Sequence, residues 1–549
     1  MLKRRQLFQL AGVAALAGIG GATWMYYGSR HSTNMATAPF RPYPFDPVAP
    51  ENFQQKLFIP VASGPFGVLN VAGSLKIHAR AASFPLMPGR ESPFLLYQTE
   101  QADKAFQNPI LRIERGARFT ASLENALSEP TIIHWHGLHT PATMDGHPVN
   151  TIEPGAHYDY DFTVRNRGGT YWYHTHAHEL TAKQAYSGLA SFFLVDDDDQ
   201  RKLAKSLDLQ LGVTDLPLVI QDKQFDAQGK LLYQPNAHEA MMGWLGDIIL
   251  ANLTPNAFQT VTPRTYRLRM LNGSNARIYR LGFVMGSKPL EFTVIGTDGG
   301  LIERPEIVTE AFLAPGERLD VLFDAGQAQP GQDIFLRSLA FNPMENEASA
   351  GGMSGMGGMG NMMSSMGSSR LPLGLEFNLL KLSVKDGDRV LAKLPVMLSQ
   401  VSAIPVAGIE AAAERKIELS MEHMRFFING RTFRMDEIAF DVKRGAVEIW
   451  RISNPAVGMP HPMHLHGFSF QVIERLNSPP QLSGMARFGK GRTVSDLGWK
   501  DTVLVWPGET VRIAIDFTHD FPGSQTYLFH CHNLEHEDAG MMINYRVQA

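Results

Sequence analysis

Along most of the chain, apolar and polar residues alternate with a period of two, the pattern of half-buried strands, and Pro-Gly turns punctuate the runs. Three of these runs resemble one another: PGAHYDYDF from Pro154, PGERLDVLF from Pro315 and PGETVRIAIDF from Pro507. Each is followed by a second alternating run: GTYWYHTH (169–176), GQDIFLRS (331–338) and GSQTYLFHCH (523–532). Each is preceded by another that ends near an Asn: FTASLEN (119–125), TYRLRMLN (265–272) and VEIWRISN (447–454). A unit repeated three times predicts three similar all-β domains. The outer copies carry His where the middle copy has Arg337 and Ser338, which places the chemistry in the outer units and makes the middle one a spacer.

The joints follow from composition. Asp196–Asp199 and the QRKLAKSL that follows read as a solvated linker, and residues 385–415 carry the chain into the third unit. Between Phe341 and Arg370 the sequence is low-complexity and rich in Gly, Ser and Met, too poor in large apolar groups to pack. The expected domains are 55–200, 201–385 with a Met-rich insert at 341–370, and 400–549. Ahead of them, Lys3, Arg4 and Arg5 precede Leu10–Tyr27, which has no charge. This segment resembles a twin-arginine export signal, so residues 1–38 are expected to be signal and linker and the protein periplasmic or otherwise exported. The alternative is an uncleaved anchor, for which the run is only marginally long enough, and it is the only membrane contact expected.

Composition narrows the classes. With 549 residues, 44% of them hydrophobic and 32 of them Phe, the chain can build real cores. A net charge of −4 gives no electrostatic case for nucleic acid or an anionic membrane surface. A single Cys excludes an intrachain disulfide and any CxxC motif. Nineteen His and 25 Met, by contrast, are metal-capable.

Random scatter of those His would give fewer than about one His-x-His pair. The chain has five, at 134/136, 174/176, 176/178, 464/466 and 530/532. On a strand, residues two apart share a face, so each pair presents two imidazoles side by side. Around Cys531, His530 and His532 point one way and the thiol the other. His464 and His466 share a face, and His461 has the opposite parity. One strand can thus feed two metal sites: an imidazole-only face, and a thiol face that collects His461, His536 and a Met. Two His, a thiolate and a weak axial Met form a blue-copper electron-transfer set. Structural zinc prefers more thiolates and shorter spacings. A buried inert thiol is the other alternative.

HWHG (134–137), WYHTH (172–176), HPMHLHG (461–467) and HCHNLEHEDAGM (530–541) resemble, in this order, the four copper signatures of three-domain multicopper oxidases, and the resemblance runs from about residue 55 onward. It implies three cupredoxin-like Greek-key β-barrel domains and four copper ions: one type 1, one type 2 and two type 3. Carried over by motif, the type 1 copper falls to His461, Cys531 and His536 with Met541 axial, although Met542 competes for that place. Type 2 falls to His134 and His464, and the type 3 pair to His136, His174, His176, His466, His530 and His532. His178 reads as an outer or surface residue, and His139, His147 and His157 as structural or outer residues. The resemblance implies that electrons pass from a reductant through Cys531 to the cluster, where dioxygen becomes two waters. It also puts a carboxylate at Asp145 and another at Glu537 on the proton path. The bland readings are a turn-forming Asp-Gly and a solvated surface acid.

For the reductant, seven Met between Met344 and Met366 stand among Gly and Ser. Thioethers select Cu(I) over hard ions. Met-rich segments also occur in the family's cuprous oxidases, and Met459 matches a substrate-copper position there, so Met459, Met353, Met356 and Met359 are candidate substrate-copper ligands. Val457 stands where that group has an Asp, and the segment ends domain two rather than lying in domain three. A cuprous oxidase acting in copper tolerance, as a monomer, is therefore the first expectation. A laccase-like oxidase of phenols and aromatic amines is the second, and a non-catalytic copper-binding protein the third.

Overall fold

All nine repeat runs form strands in the computed structural model, which describes residues 49, 52–59, 63–87, 89–346, 369–390, 393–408, 413–422 and 425–549. In each copy the upstream run pairs antiparallel with the Pro-Gly run: Arg118–Ala126 with His157–Thr163, Thr265–Asn272 with Arg318–Asp324, and Val447–Ser453 with Thr510–Asp516. An earlier strand of each unit lies parallel on the other side of that upstream run: Leu75–Met87, Asp215–Phe225 and Arg415–Glu422. The remaining run of each copy, Gly169–Thr175, Asp333–Ser338 or Gln525–Cys531, sits in a second sheet. Parallel neighbours need a crossover between sheets, which makes the path Greek-key rather than a meander. The architecture is the expected all-β, cupredoxin-like one. Among the described residues each unit is two facing sheets rather than one closed barrel.

The period-two pattern accounts for the packing. Along Arg118–Ala126 every second side chain is buried, Phe119, Ala121 and Leu123 pointing into the first core. Gly169–Thr175 is buried on both faces, because the middle unit covers the face that would meet water in an isolated sandwich. The third core gathers Trp450, Phe529 and Tyr545 around Cys531 and Met541.

Two expectations need revision. The charged run after Asp196 is not merely a linker. Asp198–Leu207 is a helix whose start is capped by the Asp197 side chain accepting from the Gln200 amide, and it buries Leu203 and Leu207 in the middle core. The two Leu four residues apart are the helical signal within the charge. Nor is the middle unit only a spacer, as the metal centre shows below. Gln55–Lys56 also pairs with Ala257–Phe258, so the earliest described strand belongs to the middle unit's sheet. Among the described residues no helix is long and apolar enough to cross a membrane, and residues 1–38 lie outside them.

Candidate metal centre

The HWHG segment begins as a two-residue strand, Ile133–His134, paired with His174 and Thr175 at the end of Gly169–Thr175. Trp135 turns into the first core, which leaves His134 and His136 on the opposite side. The Asp145-Gly146 turn folds back onto this strand so tightly that a Cβ on Gly146 would lie 2.0 Å from the Ile133 carbonyl oxygen. In the third unit His461–Leu465 pairs with both Gln525–Cys531 and Thr502–Val505, setting His464 beside His530 and Thr502.

The first and third units thereby meet across a bed of imidazoles. His134 Nε2 and His464 Nε2 lie 3.4 Å apart. His136, His174 and His532 converge as one triplet, and His176, His466 and His530 as another. In the first triplet His136 Nδ1 is 3.4 Å from His174 Nε2; in the second His530 Nε2 is 3.4 Å from His176 Nε2 and 3.0 Å from His466 Nε2. The eight His that the resemblance placed at types 2 and 3 are all brought together, and each set mixes both outer units.

Outer partners fix which nitrogen faces inward. His134 Nδ1 donates to the Asp145 carbonyl (2.7 Å), His464 Nδ1 to the Asp501 carbonyl (2.9 Å) and His174 Nδ1 to the Thr175 carbonyl (2.7 Å), leaving each Nε2 with a free lone pair. His136 is reversed: its Nε2 donates to Asp501 Oδ1 (3.0 Å), so Nδ1 faces the cluster. Burial holds all eight imidazoles below their usual pKa, to about 3 at His174 and about 4 at His530, so they are neutral at physiological pH. Among the described residues neither nitrogen of His532 has a hydrogen-bond partner, so its lone pair is unsatisfied in either tautomer. Buried lone pairs without donors are unfavourable unless a Lewis acid takes them. Copper, which imidazole suits, fits this donor set.

On the thiol face Cys531 Sγ lies 3.5 Å from Nδ1 of both His461 and His536. The Cys531 amide donates to the Met541 carbonyl (3.0 Å) and the Met541 amide to the His536 carbonyl (2.8 Å), which brackets Met541 between the two. Met541 shares the Cys531 core, whereas Met542 packs separately with Phe433 and Leu528, which favours Met541 at the thiol. Burial raises the thiol pKa, so a cation is needed to keep the thiolate. His536 Nε2 donates to the Met241 carbonyl (2.9 Å) at the end of the helix Ala237–Met242. That cap was missed in the sequence, because nothing in AHEAMM signals a partner almost 300 residues away.

Asp145 and Glu537 both lie against the cluster. Asp145 Oδ2 accepts from His466 Nδ1 (2.7 Å), and its Oδ1 has no partner among the described residues. Glu537 sits 3.2 Å from His530 Nδ1 and 3.5 Å from His176 Nε2. Burial raises both carboxyls well above the usual range, aided at Glu537 by Asp538. Asp145 thus forms a turn and touches His466 at once, and Glu537 is no surface acid. Sequence reading missed Asp501 and Arg318, which pair with each other against His136. Two signals were available: Lys500-Asp501 in a buried strand context, and Arg318 inside the repeat run of the supposed spacer.

The other candidates separate cleanly. Among the described residues His178 joins no metal-capable group, and it packs on Phe433. His147 donates to Asn544 Oδ1 (2.7 Å) and His139 to the Gly467 carbonyl (2.6 Å), tying loops together. Met459 is buried, its carbonyl accepting from Asn454, and Val457 is exposed. Met353, Met356 and Met359 lie outside the described residues.

The chain matches the multicopper oxidase family over residues 97–200, 168–353 and 410–549. It belongs to that family, copper-dependent oxidoreductases with oxygen as acceptor. Among curated proteins it is 30% identical over 443 residues to a multicopper oxidase of Staphylococcus epidermidis, covering 80% of this chain and 81% of that one. It is 32% identical over 446 residues to a laccase of Bacillus subtilis, covering 75% and 78%. Among solved structures it resembles the McoA multicopper oxidase of Aquifex aeolicus, with TM-score 0.77 and 38% identity, covering 90% of this chain and 100% of that one.

Proposed function

We propose that this protein is an exported cuprous oxidase with three domains at the boundaries read from the sequence, except that Gln55–Lys56 joins the middle unit's sheet. Its four coppers would be held as type 1 by His461, Cys531, His536 and Met541, as type 2 by His134 and His464, and as a type 3 pair by the two triplets. When bound, copper supplies one-electron oxidation at the thiol site and reduction of dioxygen to two waters at the imidazole cluster. The chain's own residues position and insulate these centres. Cys531 is covalently continuous with His530 and His532, the shortest link between the two faces. Asp145 and Glu537 hold protons against the cluster, each with an oxygen that has no competing hydrogen bond.

The observation that carries the substrate reading is the cap on His536. The Met241 carbonyl occupies its Nε2, so a phenol has no bare imidazole edge to dock on. The capping segment instead brings Met241 and Met242, soft donors suited to Cu(I). The described flanks of the Met-rich insert support the same reading. Asn346 donates to the Pro507 carbonyl (2.7 Å), and on the far side Ser369 donates to the Gly246 carbonyl (2.9 Å), just past the cap.

Steady-state oxygen uptake with Cu(I), Fe(II) and a phenol side by side tests this. We expect Cu(I) to be the fastest substrate and Met241→Leu to slow Cu(I) turnover at limiting copper. Faster phenol oxidation, unchanged in Met241→Leu, would favour the laccase reading, and no turnover with any of them the copper-binding one.

A further inference from the structure

Arg318 comes from the middle unit, yet its guanidinium is spent in three units. Nε donates to the Thr170 carbonyl of the first (3.0 Å), and one Nη1 hydrogen to the Gly316 carbonyl of its own (2.8 Å). One Nη2 hydrogen goes to the Asp298 carbonyl (3.1 Å), and the remaining donor on each terminal nitrogen goes to Asp501 of the third unit, with Nη1 2.8 Å from Oδ1. All five donors are used, and Arg318 is fully buried. No lysine could reproduce that fork.

Asp501 passes this order on. Its Oδ1 accepts from His136 Nε2 (3.0 Å) and its backbone carbonyl from His464 Nδ1 (2.9 Å). The two rings stack with centroids 3.7 Å apart and planes 10° from parallel. Gly137, at φ +85°, leaves room for the pair: a Cβ there would lie 2.4 Å from Asp501 Oδ2 and 2.9 Å from Arg318 Nη2. A buried ion pair is weak evidence for stability, because well-packed apolar residues often serve as well. Its placement against two ring nitrogens calls for another reason.

We propose that Arg318 and Asp501 form a positioning pair for the cluster, in which the guanidinium fixes the carboxylate and Asp501 sets the tautomer and ring plane of His136 and His464. Through it the middle unit, which supplies no ligand, controls a metal site built by the other two. The inference rests on the reading that His134 and His464 hold the type 2 copper.

Arg318→Lys, Asp501→Asn and His464→Ala in the copper-loaded full chain test it, through copper per chain, resistance to a chelator, the electron paramagnetic resonance of the type 2 copper and the blue absorption. Outer partners of metal ligands typically contribute about 10–100-fold in affinity. We expect a loss of that size for the type 2 copper in Arg318→Lys and Asp501→Asn, with altered hyperfine splitting and the blue band kept. His464→Ala should lose the type 2 signal outright. If it does while the other two keep the parent's chelator resistance and splitting, the pair is only structural and the proposal is overturned. If His464→Ala keeps the signal, the ligand reading itself fails. Should Arg318→Lys not fold, Asp501→Asn, which replaces one oxygen by an NH2 group, decides alone: parent values in it overturn the proposal.

Discussion

Asp145 and Asp501 do the same geometric work on opposite sides of the cluster. Asp145 takes His134 on its backbone carbonyl and His466 on its carboxylate. Asp501 takes His464 on its carbonyl and His136 on its carboxylate. Each thereby orients one stacked pair, His134 on His466 at 3.8 Å and His136 on His464 at 3.7 Å. Their surroundings differ. Asp501 is locked by Arg318, while among the described residues Asp145 faces no ion-pair partner other than its histidines and keeps Oδ1 unbonded. Two residues of one type, in near-mirror positions, thus differ in their surroundings, one clamped by a guanidinium and the other with an oxygen left open.

The largest effect sets the reference for this comparison. Cys531→Ser should abolish visible absorption and turnover, because a hydroxyl is a hard, weak ligand. Variants at either aspartate should keep the blue band. A Cys531→Ser protein that stayed blue would remove the thiol face from the argument.

Next comes stability. Arg318→Gln leaves Asp501 buried without its cation, and removing one partner of a buried pair destabilises by about 3–5 kcal/mol. Asp145→Asn leaves no charge unpaired and should fall below about 1.5 kcal/mol. Denaturant unfolding of the two proteins measures the gap, and equal losses would erase the contrast.

The third is catalytic. Asp145→Asn removes an acid that can contribute about 10²-fold or more. Burial raises the Asp145 pKa, so the group is protonated below that raised value and loses its proton as pH rises through it. Oxygen reduction by the parent should therefore decline with rising pH, and the Asp145→Asn profile should be slower and lack that step. Reoxidation by oxygen that is unchanged in the variant would leave Asp145 a turn former.

The smallest is steric. Gly137→Ala crowds the Asp501–Arg318 contact at a positive φ, at about 1–3 kcal/mol. It should weaken the type 2 copper without touching the Asp145 pH step. A shift in that step would couple the two aspartates.

Much of this was legible in the chain. The period-two runs gave all nine repeat strands, because alternation is a local consequence of one buried face. The His-x-His parity separated the thiol face from the imidazole face for the same reason. What was not legible depends on distant segments. The Arg318 fork joins residues 170, 298, 316 and 501, and the Met241 cap meets His536 across a domain boundary. The Leu203–Leu207 stripe was visible but masked by the charges around it.

The five-residue helix Leu534–Asp538 carries a consequence for biogenesis. Glu535 accepts from Asn275 and Trp244 of the middle unit, His536 faces the thiol, and Asp538 accepts from the Thr181 and Ala182 amides of the first unit. These partners in the first and middle units precede it in the chain, and domains generally fold in the order in which they are synthesised. The thiol segment is therefore made after the first- and middle-unit surfaces on which this helix docks.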